Sequence, residues 1–187
     1  MKKIMFNDRY GLTQAVLDGR KTMTRRIVPD GTPLGNWEET VKKSRYKVGE
    51  IVAVAQSYHA LNKAGYVAPE WLEHTCESSE GYENKMFVRA DLMPHRIRIN
   101  NIKVERLQDI SDEDCLKEGL TIASVNNGQG NYGYHTEYNL VYYDNFGRTK
   151  IIGGRNVREA FADLIDRVCG RGTWDINPYV FVYEFNC

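Results

Sequence analysis

Long apolar runs are missing from this chain, and so is any net charge. No stretch approaches the roughly 20 apolar residues that a membrane-spanning helix needs. The 25 basic side chains are matched by 25 acidic ones. Proteins that coat long duplex nucleic acid draw much of their affinity from neutralised phosphates and usually carry a basic excess. Without that excess, a nucleoside, another small ligand or a short single strand fits better. Cysteine is sparse as well. Cys76, Cys115, Cys169 and Cys187 are widely dispersed and form no CxxC pair, so no disulfide framework is expected. The start, Met1-Lys2-Lys3-Ile4-Met5-Phe6, is too short for a signal h-region and reads as a first strand. The cysteines therefore read as reduced thiols of a cytoplasmic protein. His74-x-Cys76 has no partner pair at ligand spacing, so no metal and no cofactor are expected.

What is present is segregated charge. Residues 20–26 and 42–47 are basic, and Asp109 to Glu118 is acidic. The densest stretch is Gly19-Arg20-Lys21-Thr22-Met23-Thr24-Arg25-Arg26. It follows an amphipathic segment, Tyr10 to Asp18, whose apolar stripe is Leu12, Ala15, Val16 and Leu17. Gly19 falls where a helix takes a left-handed C′ residue. Like charges this close repel one another. A fold tolerates them most easily when an anion or a carboxylate lies among them.

The 187 residues suffice for one domain with a real core. Ile4 to Phe6 predicts a short strand, and Asn7 or Asp8 can cap the helix that runs to Asp18. Residues 27–46, with Pro29, Gly31, Pro33 and Gly35, read as a loop. Strands are expected over Ile51 to Ala60, Lys85 to Ala90 and Leu140 to Asp144, with insertions near 61–84 and 120–138. Arg96 to Leu107 is the clearest strand. Ile97 and Ile99 are out of phase with Ile102 and Val104 across Asn100-Asn101, which calls for a bulge or a barrel corner. Ser111 with Asp114, and Asn156 with Glu159, mark the starts of two helices, and Gly119 and Gly170 mark their ends. The aromatic alternation of Tyr179, Phe181, Tyr183 and Phe185 predicts a half-buried strand. Short strands separated by capped helices argue for an α+β fold.

The octet at Gly19–Arg26 resembles the signature of the ASCH domain, a branch of the PUA-like superfamily. Three further blocks are similar to that family and stand in the right order. They are Tyr46-Lys47-Val48-Gly49-Glu50-Ile51-Val52, the stretch Ile102 to Gly119, and the closing segment Gly172 to Phe185. The last two of these blocks look like those of many longer, phage-type members. Where many members read Val-Arg-Glu, this chain has Val54-Ala55-Gln56, so no role of that Arg-Glu pair transfers. The resemblance implies a small PUA-like β-barrel with helices packed on its ends. It also implies recognition of RNA or of a nucleoside such as a modified cytidine.

Some members of the family remove the acetyl group from N4-acetylcytidine, with a Lys, a Thr and a Glu. Lys21 and Thr24 fall on the first two positions, and Glu118 on the third. From first principles a threonine hydroxyl needs a neighbouring base, and a lysine can serve once burial or cationic neighbours lower its pKa. Arg20, Thr22, Arg25 and Arg26 are candidate ligand-binding residues beside it, with Arg96 and Arg98 as a more distant phosphate wall. Several readings stay open. The chain is a reader of RNA or a nucleoside, or an amidohydrolase or ribonuclease using Lys21, Thr24 and Glu118, or a phage accessory protein that binds a host protein. Apart from the resemblance, Thr-x-Thr-Arg-Arg also suits an exposed strand with solvated cations. On a regular strand, residues three apart face opposite ways, so Lys21 and Thr24 share a site only if the chain turns between them.

Overall fold

The computed structural model describes residues 1–66, 80–124, 136–143 and 149–186, with 122–124, 136–143 and 149–152 described at the level of the backbone. It is a mixed α/β structure. Eight strands are formed among the described residues: β1 (Lys3–Ile4), β2 (Met23–Ile27), β3 (Ile51–Val54), β4 (Arg96–Arg106), β5 (Thr121–Ser124), β6 (Thr136–Tyr143), β7 (Thr149–Gly154) and β8 (Tyr179–Asn186). The helices are α1 (Leu12–Leu17), α2 (Trp37–Lys42), α3 (Tyr58–Lys63), α4 (Asp112–Lys117), α5 (Val157–Cys169) and α6 (Thr173–Ile176).

The main sheet runs β1-β3-β4-β8-β2, and β5-β6-β7 form a second, three-stranded antiparallel sheet. Only β1 and β3 pair in parallel within the main sheet. The pattern break at Asn100 is real. Ile99 faces Phe185 and Asn101 faces Glu184, so Asn100 is the extra residue of a bulge. That slip lets Ile97 and Ile99, then Ile102, all reach the core.

The expected closed barrel is not made by backbone pairing, since β1 and β2 remain the edges of the sheet. The sheet is nonetheless strongly curled. Four strand spacings would part the edges by about 19 Å in a flat sheet. Yet the Arg26 guanidinium on β2 donates to the Met5 carbonyl just past β1. One side chain therefore bridges the two edges.

β8 is more buried than its alternation predicts. Val180, Phe181, Val182, Tyr183 and Phe185 are all buried. The reason is its place between β4 and β2, with core on both faces. Other expectations need correction. Residues 27–46 contain α2, capped by Asn36. The strand expected to reach Ala60 stops at Val54, and Ser57 caps α3. Lys85 to Ala90 forms turns, not a strand. β5 and the start of β6 lie in the segment expected to be a loop, and β7 has no counterpart among the expected strands. Asn7 makes no side-chain cap, and the first helix is split by Gly11 into a short 3₁₀ turn and α1.

The helix caps at Ser111 and Asn156 form as the sequence predicts. α5 packs its Ala160, Phe161, Leu164 and Ile165 face into the core. Before β8, the Gln108 N–H donates to Asn177 Oδ1 and its amide to Trp174 O, each at 2.8 Å. This fixes the approach to the last strand. No helix among the described residues is long and apolar enough to cross a membrane.

Candidate functional site

The site begins where α1 ends. Gly19 takes φ +72°, and its N–H donates to Val16 O at 2.9 Å. The Lys21 N–H then donates to Ala15 O at 2.8 Å. The Thr22 N–H donates to Lys117 O, and Thr22 O accepts from the Phe185 N–H, both at 2.9 Å. Residues 21–22 are thus pinned among α1, α4 and β8 before β2 starts. Lys21 lies outside the regular strand, so its spacing from Thr24 does not send the two side chains to opposite faces.

α4 is oriented from its other end by Ser111, whose Oγ accepts from the Asp114 N–H at 3.2 Å. It finishes at Glu118, and Gly119 follows at φ +102°. A Cβ on Gly119 would stand 3.3 Å from Ala15 Cβ and 3.4 Å from Lys21 Cβ. Glycine alone supplies both that dihedral and that close approach. The approach delivers Glu118 onto Lys21.

Lys21 is 2% exposed and Glu118 4%. Lys21 Nζ donates to Glu118 Oε2 at 2.5 Å and to the Glu118 carbonyl at 2.8 Å. One ammonium therefore meets both the carboxylate and an orphan carbonyl of the helix end. That explains how an acid is held where the helix dipole disfavours it. Arg25 Nη1 holds the other carboxylate oxygen, Oε1, at 3.1 Å. Arg25 Nη2 also reaches Glu105 Oε1 at 2.6 Å and Asp114 Oδ2 at 3.2 Å. Lys103 and Lys117 complete the cluster from outside, at 2.9 Å from Glu105 and 3.1 Å from Asp114.

Burial pushes the Lys21 amine below its ordinary pKa, with Glu118 opposing and Arg26 and Arg25 adding to the fall. Burial also works against the Arg25 charge, but Glu118 and Glu105 more than reverse it and hold that group above its ordinary value. For Asp114, desolvation is outweighed by the hydrogen bonds from Lys117 and Arg25, and the carboxyl sits below the usual range.

A cavity of about 400 Å³ opens beside this cluster. Asn7, Lys21, Thr24, Arg25, Arg26 and Glu118 supply polar lining, and Phe6, Leu12, Phe161, Leu164, Ile165 and Val168 an apolar wall. Lys21 Nζ and the Arg26 guanidinium each lie 5.9 Å from the Phe6 ring centroid. Thr24 is buried, and among the described residues nothing hydrogen-bonds its hydroxyl. The cavity therefore holds a fixed amine–carboxylate pair, an uncommitted hydroxyl and an aromatic–aliphatic wall.

Of the residues singled out by sequence, Lys21, Thr24, Arg25, Arg26 and Glu118 come together here. Arg20 is exposed and paired with Asp18 at 3.0 Å, away from this cavity. Thr22 lends its backbone but does not line the cavity. Arg96 and Arg98 are exposed on β4, opposite in phase to the buried Ile97 and Ile99, and also lie outside it. Gln56 is buried outside the cavity, and its Oε1 has no hydrogen-bond partner among the described residues. His74 and Cys76 lie outside the described residues. Sequence reasoning missed Glu105 and Asp114, the carboxylates that hold Arg25. It also read Phe161, Leu164 and Val168 only as core. No group of His, Cys, Asp or Glu that could hold a metal ion is found among the described residues.

Comparison with family models, with curated proteins and with solved structures finds no match to this chain.

Proposed function

We propose that the cavity beside Lys21 and Glu118 binds a nucleobase or nucleoside, and that the curled main sheet is an ASCH-type, PUA-like scaffold whose edges Arg26 bridges in place of backbone pairing. One observation carries the ligand reading: a cavity of about 400 Å³ that combines an apolar, partly aromatic wall with a few fixed polar groups. Small-molecule sites have this size and this balance of surfaces. A base offers flat faces to Phe6 and Phe161, and polar edges to Thr24 and the Lys21–Glu118 pair. Charge favours the base over a phosphate at this point. Arg25 is already met by Glu105, Asp114 and Glu118, so little of its field remains for an anion.

The free Thr24 hydroxyl favours a further step, hydrolysis of the acetyl group of N4-acetylcytidine. Lys21 passes a proton to Glu118 and becomes a neutral amine. Thr24 Oγ1 then attacks the acetyl carbon as its proton moves to Lys21. The C–N bond breaks, the cytidine amine takes that proton, and the acetyl group remains as an ester on Thr24. Water cleaves the ester to acetate and restores the hydroxyl. The depressed pKa of Lys21 suits the role of base.

Calorimetric titration with cytidine tests the binding reading. The native chain should saturate at one site. Lys21→Met combined with Glu118→Leu should bind at least about tenfold more weakly, as expected when a hydrogen bond to a charged group is lost. Undiminished affinity in that double variant overturns the assignment.

A further inference from the structure

A second cavity, of about 310 Å³, lies on the other side of Arg26. It shares Met5, Arg26 and Ile27 with the first. Its character is different. Lys3, Arg26, Lys43 and Arg45 line it, and no aspartate or glutamate among the described residues does. The remaining wall includes Tyr46, Phe181 and Tyr183, with the Tyr46 and Tyr183 rings edge to face at 5.2 Å.

The cations of this wall lack direct ion pairs. Among the described residues, Arg26, Lys43 and Arg45 make no ion pair with any carboxylate. The Arg26 guanidinium donates to the Met5 carbonyl, and Arg45 stands 5.6 Å from the Tyr46 ring centroid. Lys3 turns its ammonium to the carbonyls of Met86 and Val88, at 2.6 and 2.7 Å. Burial pushes the Lys3 amine down, and the Arg45 charge adds to that fall, so the positive field is felt within the wall. In the first cavity, by contrast, Lys21 and Arg25 are answered by Glu105, Asp114 and Glu118. In the second, no carboxylate among the described residues lines the wall, and Glu39 meets Lys43 only through its field, without an ion pair. Guanidinium groups clustered on a concave surface are the donors that suit a phosphate ester, which they can bind through paired N–H groups.

We propose that this second cavity is a phosphate subsite, holding the phosphate ester of the nucleoside whose base occupies the first. This rests on the nucleoside reading of the first cavity. Arg26 is the shared wall: its charge bears on Lys21 on one side and on Tyr46 on the other. The substrate class becomes a nucleotide, either a free monophosphate or a residue within an RNA strand.

The test uses the full-length chain and four probes: cytidine, cytidine 5′-monophosphate, a short oligocytidine and inorganic phosphate. Lys43→Ala combined with Arg45→Ala removes two exposed charges without opening the core. The monophosphate should bind roughly tenfold tighter than cytidine, the increment expected from one charge-assisted hydrogen bond to phosphate. That advantage should vanish in the double variant and in high salt, while cytidine itself binds as before. Equal affinities for cytidine and its monophosphate in the native chain would overturn the subsite and leave the nucleoside reading standing. Phosphate binding that depends on Lys43 and Arg45, with no binding of cytidine, would uphold the anion site and overturn the nucleoside reading. A tighter fit for the oligonucleotide than for the monophosphate identifies RNA as the source of the phosphate. Equal affinity for the two identifies a free nucleotide.

Discussion

Lys21 Nζ sits 2.5 Å from Glu118 Oε2, although 97 residues separate the two in sequence and both are buried. The contact depends on three local features that the sequence carries separately. Gly19 ends α1, Gly119 lets α4 close on it, and Arg25 fixes the second oxygen of the carboxylate.

Removing one partner should be costly. Glu118→Ala leaves the Lys21 ammonium and part of the Arg25 charge buried without their counter-ion, which costs about 3–5 kcal/mol. Replacing the pair together, as Lys21→Met with Glu118→Leu, should recover most of that loss, because no uncompensated charge then remains near Lys21. Urea unfolding of the two variants beside the native chain reads this directly. Equal destabilisation in both would mean that packing, and not charge, dominates the pair.

Gly119→Ala should destabilise the fold by about 1–3 kcal/mol, because it forces a Cβ into the left-handed region and against Ala15 and Lys21. Cytidine affinity should fall with it, since the same contact sets Glu118. A thermal melt and a titration on one sample check both effects. Gly19→Ala serves as the control. It carries a similar backbone strain, but its Cβ meets nothing within 4 Å.

Acid should weaken the cluster in a defined window. The folded-state pKa of Asp114 lies below its ordinary value of 3.8. Its contribution to stability is therefore fully present above that value and is lost as pH falls through the folded pKa. The stability difference between the native chain and Asp114→Asn should be constant near neutrality and shrink below about pH 4. A difference that persists unchanged to about pH 2 would assign the effect to hydrogen bonding alone.

The two arginines of β2 should behave differently. Arg25→Ala should lower stability, because it removes the one guanidinium that joins Glu105, Asp114 and Glu118 and leaves three carboxylates to the lysines alone. Arg26→Ala should instead weaken binding of an oligonucleotide and reduce the salt slope by about one charge. Titrations at several salt concentrations separate the two. A reduced slope in Arg25→Ala would show that its guanidinium faces the ligand.

Much of this framework is legible in the residues. The bulge at Asn100 follows from a break in period-two alternation, and the caps at Ser111 and Asn156 follow from side chains that reach only the next turn. Features set by distant neighbours are not legible in this way. Glu105 and Asp114 meet Arg25 across 80 and 89 residues, through a strand order that no local pattern encodes. Arg25 therefore has the sequence signature of a ligand-binding group and is a clamp on carboxylates. Phe161 and Val168 carry the same apolar signal whether they fill a core or line a cavity. Tyr58 and Ala60, either side of His59, keep an alternation that suits a strand, yet Ser57 accepts the Ala60 N–H and starts a helix there.

The most direct test of the Lys21–Thr24–Glu118 site is chromatography of N4-acetylcytidine after long incubation with the native chain and with Thr24→Val. Conversion to cytidine and acetate by the native chain, and none by a folded Thr24→Val, is the expected result. Conversion that survives the loss of the Thr24 hydroxyl, or a native chain that neither converts nor binds the nucleoside, would contradict it.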